Sequence, residues 1–129
     1  MTNINQIIDS LTLEEKVSIL SGFNSWYTHK IKEKNVPSIK MSDGPNGVRG
    51  DSNSGKSSAC FPCAISIGST WDLELIKNIG VALGEEALAK DVDVLLGPTI
   101  NIHRHPLGGR HFESFSEDPF LTGKIATNY

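Results

Sequence analysis

A parallel α/β fold is predicted by three features of the chain: a short alternating segment that ends at Asp43, an amphipathic stretch from about Leu73 to Lys90, and a near-continuous apolar run over Val92 to Leu96. A strand, a loop, a helix and then a strand apolar on both faces is the order of a βαβ unit, and such units build parallel sheets. Their chemistry sits on the loops that follow the strands. The two polar clusters, Asp43 to Arg49 and Asn101 to Asp118, fall in those loops.

Ahead of the unit, Ile4, Ile7, Ile8 and Leu11 recur at helical spacing, and Thr12-Leu-Glu-Glu15 is a capping box that restarts a helix before Val17, Ile19 and Leu20. Gly22 stops it. Pro37 to Ser42 alternates Ile39 and Met41 with polar neighbours and reads as a strand; residues 44–58 hold too many glycines, prolines and serines to pack. Ala64 to Gly68 is a second short apolar segment with a β-like pattern. Thr70 or Asp72 then caps the long helix, whose core face is Leu75, Ile76, Ile79, Leu83, Ala87 and Leu88. A last helical segment begins at about Leu121.

The 129 residues, 38% hydrophobic and 21% charged, suit one soluble globular domain. A net charge of -3 with no block of like charges argues against a nucleic-acid partner. No apolar run approaches membrane-spanning length, and the N-terminus lacks a basic region followed by an apolar one, so no membrane partner and a cytoplasmic location are expected. Two cysteines, Cys60 and Cys63, are too few for a secreted disulfide framework.

Several local patterns invite sharper readings. Gly50 to Ser57 matches the text of a phosphate-binding loop, but that mechanism needs a preceding strand and a helix beginning at the lysine, and Pro62 interrupts any such helix. Cys60-Phe-Pro-Cys63 has redox spacing; with no helix readable after it, two small buried thiols are the simpler expectation. His103, His105, His111 and Glu113 have no diagnostic metal spacing and read as satisfied loop residues, so neither a metal nor a cofactor is expected. Arg110 follows two glycines, and its planar fork suits adjacent hydroxyls or a carboxylate; Glu113, Glu117 and Asp118 are near enough in sequence to orient it. Asp43 can accept two hydrogen bonds from vicinal hydroxyls or cap an Asx turn, and the residues alone leave both open. Trp26, Tyr27 and Trp71 can stack on a sugar face, although Trp71, at a helix start, is expected in the core.

Ser42-Asp-Gly-Pro-Asn-Gly-Val-Arg49, Cys60-Phe-Pro-Cys63, the segment Leu95 to Arg110 and Phe112-Glu-Ser-Phe-Ser-Glu-Asp-Pro119, in this order, resemble family 3 glycoside hydrolases, the β-glucosidase-like group. The resemblance covers nearly the whole chain. It implies a helical lead-in over residues 1–22 and the first strands and helices of a (β/α)8 TIM-like barrel over about 36–129, incomplete in this chain, since a barrel takes about 200 to 250 residues. It also implies retaining hydrolysis of β-linked glucosides or oligosaccharides, with Asp43 and Arg110 binding sugar hydroxyls and Glu113 orienting Arg110. The two catalytic carboxylates of such an enzyme stand about 5 Å apart, and in the family both come from later segments; none of these residues matches them. A truncated enzyme, inactive alone and prone to self-association through an unpaired sheet edge, is the leading expectation. A non-catalytic glucoside-binding remnant is the alternative, followed by a small redox or metal protein.

Overall fold

A computed structural model describes residues 3–50 and 56–129. Two short helices lead in, Ile4–Ser10 (α1) and Leu13–Ser21 (α2). Thr12 accepts the Glu15 amide while the Glu15 side chain accepts the Thr12 amide, so the expected capping box forms. Gly22 ends α2 at φ 72°. Neither helix buries a residue.

The βαβ unit follows. Strand Met41–Asp43 (β1) pairs in parallel with Val94–Leu96 (β2), in the register Met41 to Val94, Ser42 to Leu95 and Asp43 to Leu96. Between them lie a five-residue helix Ala64–Gly68 (α3) and a long helix Leu73–Ala89 (α4), and the chain continues into Pro119–Asn128 (α5). Asp72 caps α4 by accepting the amides of Glu74 and Leu75, and Asp118 caps α5 through the Phe120 amide. Both are short-range signals that satisfy otherwise unpaired N–H groups.

Ile76, Ile79 and Leu83 of α4 pack with Val48, Ala64, Ile67, Val92, Phe115 and Ile125 into one core. Each fully buried Val, Leu, Ile or Phe side chain among them contributes about 1.5–3 kcal/mol on burial. The α4–α5 contact is close because Gly80 lacks a Cβ: an added carbon would lie 2.1 Å from the Tyr129 carbonyl oxygen.

Several expectations are corrected. Ala64–Gly68 is helix, not an extended apolar segment; a five-residue apolar run carries no decisive period. The first strand is shorter than Pro37 to Ser42 suggested, and Lys40 instead makes an isolated antiparallel bridge with Tyr27. Strand β2 is not buried on both faces: Val94 is 42% and Leu96 50% exposed, because among the described residues the sheet has two strands and little covers it. Leu75 and Leu88 point away from the core, at 44% and 78% exposure. Trp71 is 76% exposed, with a left-handed backbone (φ 57°) that turns its side chain outward before α4 begins. Cys60 is exposed and Cys63 half-buried, both as free thiols, so the expected burial does not occur. Within Gly50 to Ser57, residues 51–55 lie outside the described residues; no helix starts at Lys56, the next one being α3.

Candidate active site

Both polar loops leave the C-terminal ends of β1 and β2, which the parallel register places side by side. After Asp43 the chain turns sharply. Gly44 adopts φ 125°, and a Cβ there would lie 1.9 Å from the Gly47 carbonyl oxygen, so only glycine fits. The Gly44 amide donates to Asp43 Oδ1 at 2.8 Å, but an Asx turn does not form, because it needs the N–H two residues on and that residue is Pro45; the turn closes through backbone atoms instead, the Gly47 amide donating to the Gly44 carbonyl at 3.1 Å. Arg49 returns to the same residue: its amide donates to the Asp43 carbonyl at 3.0 Å, and its guanidinium stands 3.7 Å from Asp43 Oδ2. With its side chain 45% exposed, Asp43 keeps acceptor capacity toward solvent while its backbone is fixed.

The loop after β2 is longer and is held by histidines. His103 Nε2 donates to the carbonyls of His111 and Ser114 at 2.8 and 3.0 Å, and the His111 ring bonds the His105 carbonyl. The two rings meet edge to face at 4.8 Å. These contacts engage the imidazoles in holding the loop, as expected. Among the described residues no group of three or more His, Cys, Asp or Glu is placed to hold a metal.

The histidine frame presents Arg110. Its Nε donates to Glu113 Oε1 and its NH2 to Glu113 Oε2, the latter at 3.1 Å. The guanidinium side chain is 83% exposed and the carboxylate only 12%, so Glu113 is the support and Arg110 the presented group. The hydrogen bonds that Arg110 donates to Glu113, and the charge of that carboxylate, raise the Arg110 pKa above its ordinary value, and the Asp43 carboxylate adds to that attraction. Asp43 and Arg110, 67 positions apart in the sequence, thus lie at and beyond the C-terminal ends of two neighbouring parallel strands. Glu117 and Asp118 do not compete for Arg110: Glu113 is its hydrogen-bond partner, and Asp118 caps α5.

Arg110 and Glu113 line an open cleft of about 520 Å³ together with Asn101, Arg104, His105 and His111. Asp43 lies outside that lining. Tyr27 borders a separate hollow of about 420 Å³, with the Lys40 ammonium 5.9 Å from its ring centroid. The structure thus does not bring Tyr27 or Trp71 into the Arg110 cleft.

One pair was missed. Glu86 and Lys90 sit one turn apart on α4 and at its end, a spacing that is visible in the sequence but ordinarily marks a solvated helix face. Here the Lys90 side chain is 5% and Glu86 16% exposed. Burial pushes the Glu86 carboxyl pKa up, but the amides of Ala59 and Val48 and the Lys90 ammonium more than offset it, and the pKa lies below the ordinary value.

The model of the glycosyl hydrolase family 3 N terminal domain matches residues 2–129. The chain belongs to glycosyl hydrolase family 3. Within that family it is 55% identical over 127 residues to a beta-glucosidase B of Emericella nidulans, covering 98% of the chain and 15% of the relative. It is likewise 55% identical over 128 residues to a beta-glucosidase of Rhizobium radiobacter, covering 98% and 16%. Its fold superposes on a Kluyveromyces marxianus beta-glucosidase in complex with glucose with a TM-score of 0.91 at 43% identity, over 99% of the chain and 16% of that structure. A family 3 beta-glucosidase of Bifidobacterium adolescentis gives 0.84 at 44% identity, over 94% and 18%. The chain therefore spans about 15% of the length of the curated relatives it matches.

Proposed function

We propose that these residues form part of the sugar-binding wall of a retaining β-glucosidase, with Asp43 and Arg110 holding hydroxyls of the non-reducing glucosyl unit and Glu113 fixing the Arg110 fork. In this reading residues 1–22 are a helical lead-in, and residues from about 36 belong to the first turns of a (β/α)8 barrel. The observation that carries it is the Arg110–Glu113 pair. A shielded carboxylate occupies two donors of an exposed guanidinium, leaving its remaining N–H groups for a ligand in the cleft that both residues line. One fixed donor group and one fixed acceptor match the alternating donor and acceptor character of vicinal hydroxyls. The β-glucosidase names of the relatives, and the glucose in one solved neighbour, support the same substrate class.

The chemistry assigned to these residues is binding that strengthens catalysis elsewhere. Hydroxyl contacts remote from the scissile bond raise turnover when they tighten in the transition state. A retaining mechanism also needs a nucleophile and an acid/base about 5 Å apart, and neither role is assigned to any of these residues; Glu86, whose oxygens are taken by two amides and an ammonium, is unsuited to either.

The test is a full-length chimera in which residues 2–129 replace the matched segment of the Rhizobium radiobacter beta-glucosidase. Hydrolysis of an aryl β-glucoside is expected, with Asp43→Asn lowering kcat/KM by about a hundredfold, the scale of one lost charged hydrogen bond. A folded chimera without turnover, or an Asp43→Asn chimera of unchanged kcat/KM, overturns the reading.

A further inference from the structure

The loop that carries Asp43 leaves β1 and returns at Ala59, and both of its limbs are tied to the same two side chains. On the outgoing limb, the Val48 amide donates to Glu86 Oε2 at 2.8 Å and the Val48 carbonyl accepts Lys90 Nζ at 2.5 Å. On the returning limb, the Ala59 amide donates to Glu86 Oε1 at 2.8 Å and Ser58 Oγ accepts Lys90 Nζ at 2.6 Å while donating to the Val48 carbonyl. The limbs also touch directly, since a Cβ on Gly47 would lie 1.8 Å from the Ala59 carbonyl oxygen. Val48 is fully buried.

From this clamp the path to Asp43 is short. Arg49 bonds the Asp43 carbonyl through its amide and faces Asp43 Oδ2 with its guanidinium. The Gly50 amide donates at 2.8 Å to Ser42 Oγ, whose residue is fully buried inside β1. Gly50 in turn packs on the Lys90 stem, where an added Cβ would come to 3.0 Å from Cδ. Displacing Val48 therefore displaces the two residues that are bonded to Asp43 and Ser42.

We propose that Glu86, acting with Lys90, is a positioning residue for Asp43: it sets where the Asp43 carboxylate stands toward the substrate without touching substrate itself. This rests on the sugar-binding reading of Asp43. A pair whose only role was to anchor α4 would need no partners on the loop. Glu86 spends both oxygens on loop amides, and Lys90 adds a loop carbonyl and a loop hydroxyl to its bond with Glu86. Such fully partnered buried pairs serve to specify one arrangement more than to add net stability.

A double-mutant cycle in the chimera separates positioning from plain support, because residues that act as a unit are non-additive. Glu86→Gln keeps the shape but cannot accept both amides, and is expected to lower kcat/KM for the aryl β-glucoside by about tenfold. In an Asp43→Asn background the same change is expected to cost under about threefold, because the group it positions is gone. Ser58→Ala, which removes one Lys90 acceptor and leaves the carboxylate, is expected to give a smaller loss with the same dependence on Asp43, and serves if Glu86→Gln does not fold. Equal losses in both backgrounds, or no loss from Glu86→Gln and Ser58→Ala in a folded enzyme, overturn the proposal. An Asp43→Asn change that leaves kcat/KM unaltered instead overturns the sugar-binding reading beneath it.

Discussion

Arg110 and Glu113 are bonded through two parallel contacts yet differ sharply in exposure, the guanidinium lying open and the carboxylate nearly covered. The pair is a mount for a cation, and its value depends on the planar fork. Arg110→Lys keeps the charge but loses the fork, so kcat/KM of the chimera is expected to fall by about ten- to a hundredfold, the scale of a lost charged hydrogen bond. Glu113→Gln keeps one acceptor oxygen for the fork and leaves Arg110 itself in place, and is expected to fall less. Equal kinetics for Arg110→Lys and the parent would show that the cleft reads charge alone.

Lys90 has a more drastic replacement cost. Its ammonium is buried and bonds a carbonyl, a hydroxyl and a carboxylate. Removing one partner of such a pair costs about 3 kcal/mol, since the other charge remains without compensation. Lys90→Ala is therefore expected to loosen the loop, with the Val48 and Ala59 amides exchanging hydrogen about a hundredfold faster where opening is local. Unchanged exchange at Val48 would show that the Glu86 carboxylate holds the loop unaided.

What was legible in the sequence was local. Thr12 with Glu15, and Asp72, announce helix starts because a cap and its amides lie within three residues of each other; α5 begins at Pro119 behind the Asp118 cap, two residues before the Leu121 expected from the sequence. Asp43 and Arg110 could be picked out locally as chemistry-bearing residues, but a sugar-binding role for them came only through long ordered motifs resembling a known family; an isolated Asp-Gly-Pro is equally a turn, and here the turn after Asp43 is closed by backbone atoms of Gly44 and Gly47. The Glu86–Lys90 spacing was visible, whereas its partners Val48 and Ala59 lie 38 and 27 residues earlier, beyond any helical period. Exposure was misread at Val94, Leu96 and Trp71 for a related reason: apolar character says what a residue favours, and only its neighbours decide what covers it.

Acid should act through Glu86. Burial raises its pKa, but the Ala59 and Val48 amides and Lys90 lower it further, so the folded pKa lies below the unfolded one. A carboxyl of that kind stabilises fully above its unfolded pKa and loses the contribution as pH falls through the folded value. The heat-inactivation midpoint of the chimera is expected to fall more steeply below the ordinary carboxyl range than that of the Glu86→Gln form. Parallel acid limbs for the two would remove Glu86 from the account.

Alkali should act through Tyr129. Its hydroxyl donates to the Pro45 carbonyl in the loop after β1, its ring packs on Phe115 at 6.0 Å, and burial pushes its pKa up to about 12. A phenol raised in the folded state contributes stability that is complete below its unfolded pKa near 10 and is lost as pH rises through the folded value. Tyr129→Phe is expected to flatten the alkaline limb of stability between about pH 10 and 12 and to weaken the tether on Pro45. An unaltered limb, with phenolate absorbance titrating near the ordinary value, would place Tyr129 in water.

The 129-residue polypeptide made by itself is expected to associate. Leu13, Val17 and Leu20 of α2 are 72%, 56% and 87% exposed, and Phe23 just beyond the helix is 66% exposed, so this helix carries its apolar stripe without a partner among the described residues. Leu88, Val94, Leu96 and Phe120 add further uncovered apolar surface around the sheet and α5. The two-stranded sheet among the described residues buries too little to offset such exposure, and unpaired strand edges invite pairing between chains. Sedimentation velocity should show oligomers that grow with concentration, and Leu20→Lys together with Val17→Lys should shift the distribution toward monomer. A concentration-independent monomer with a cooperative thermal transition would show instead that the small core of Ile76, Leu83 and Ile125 holds the chain folded without help from those surfaces.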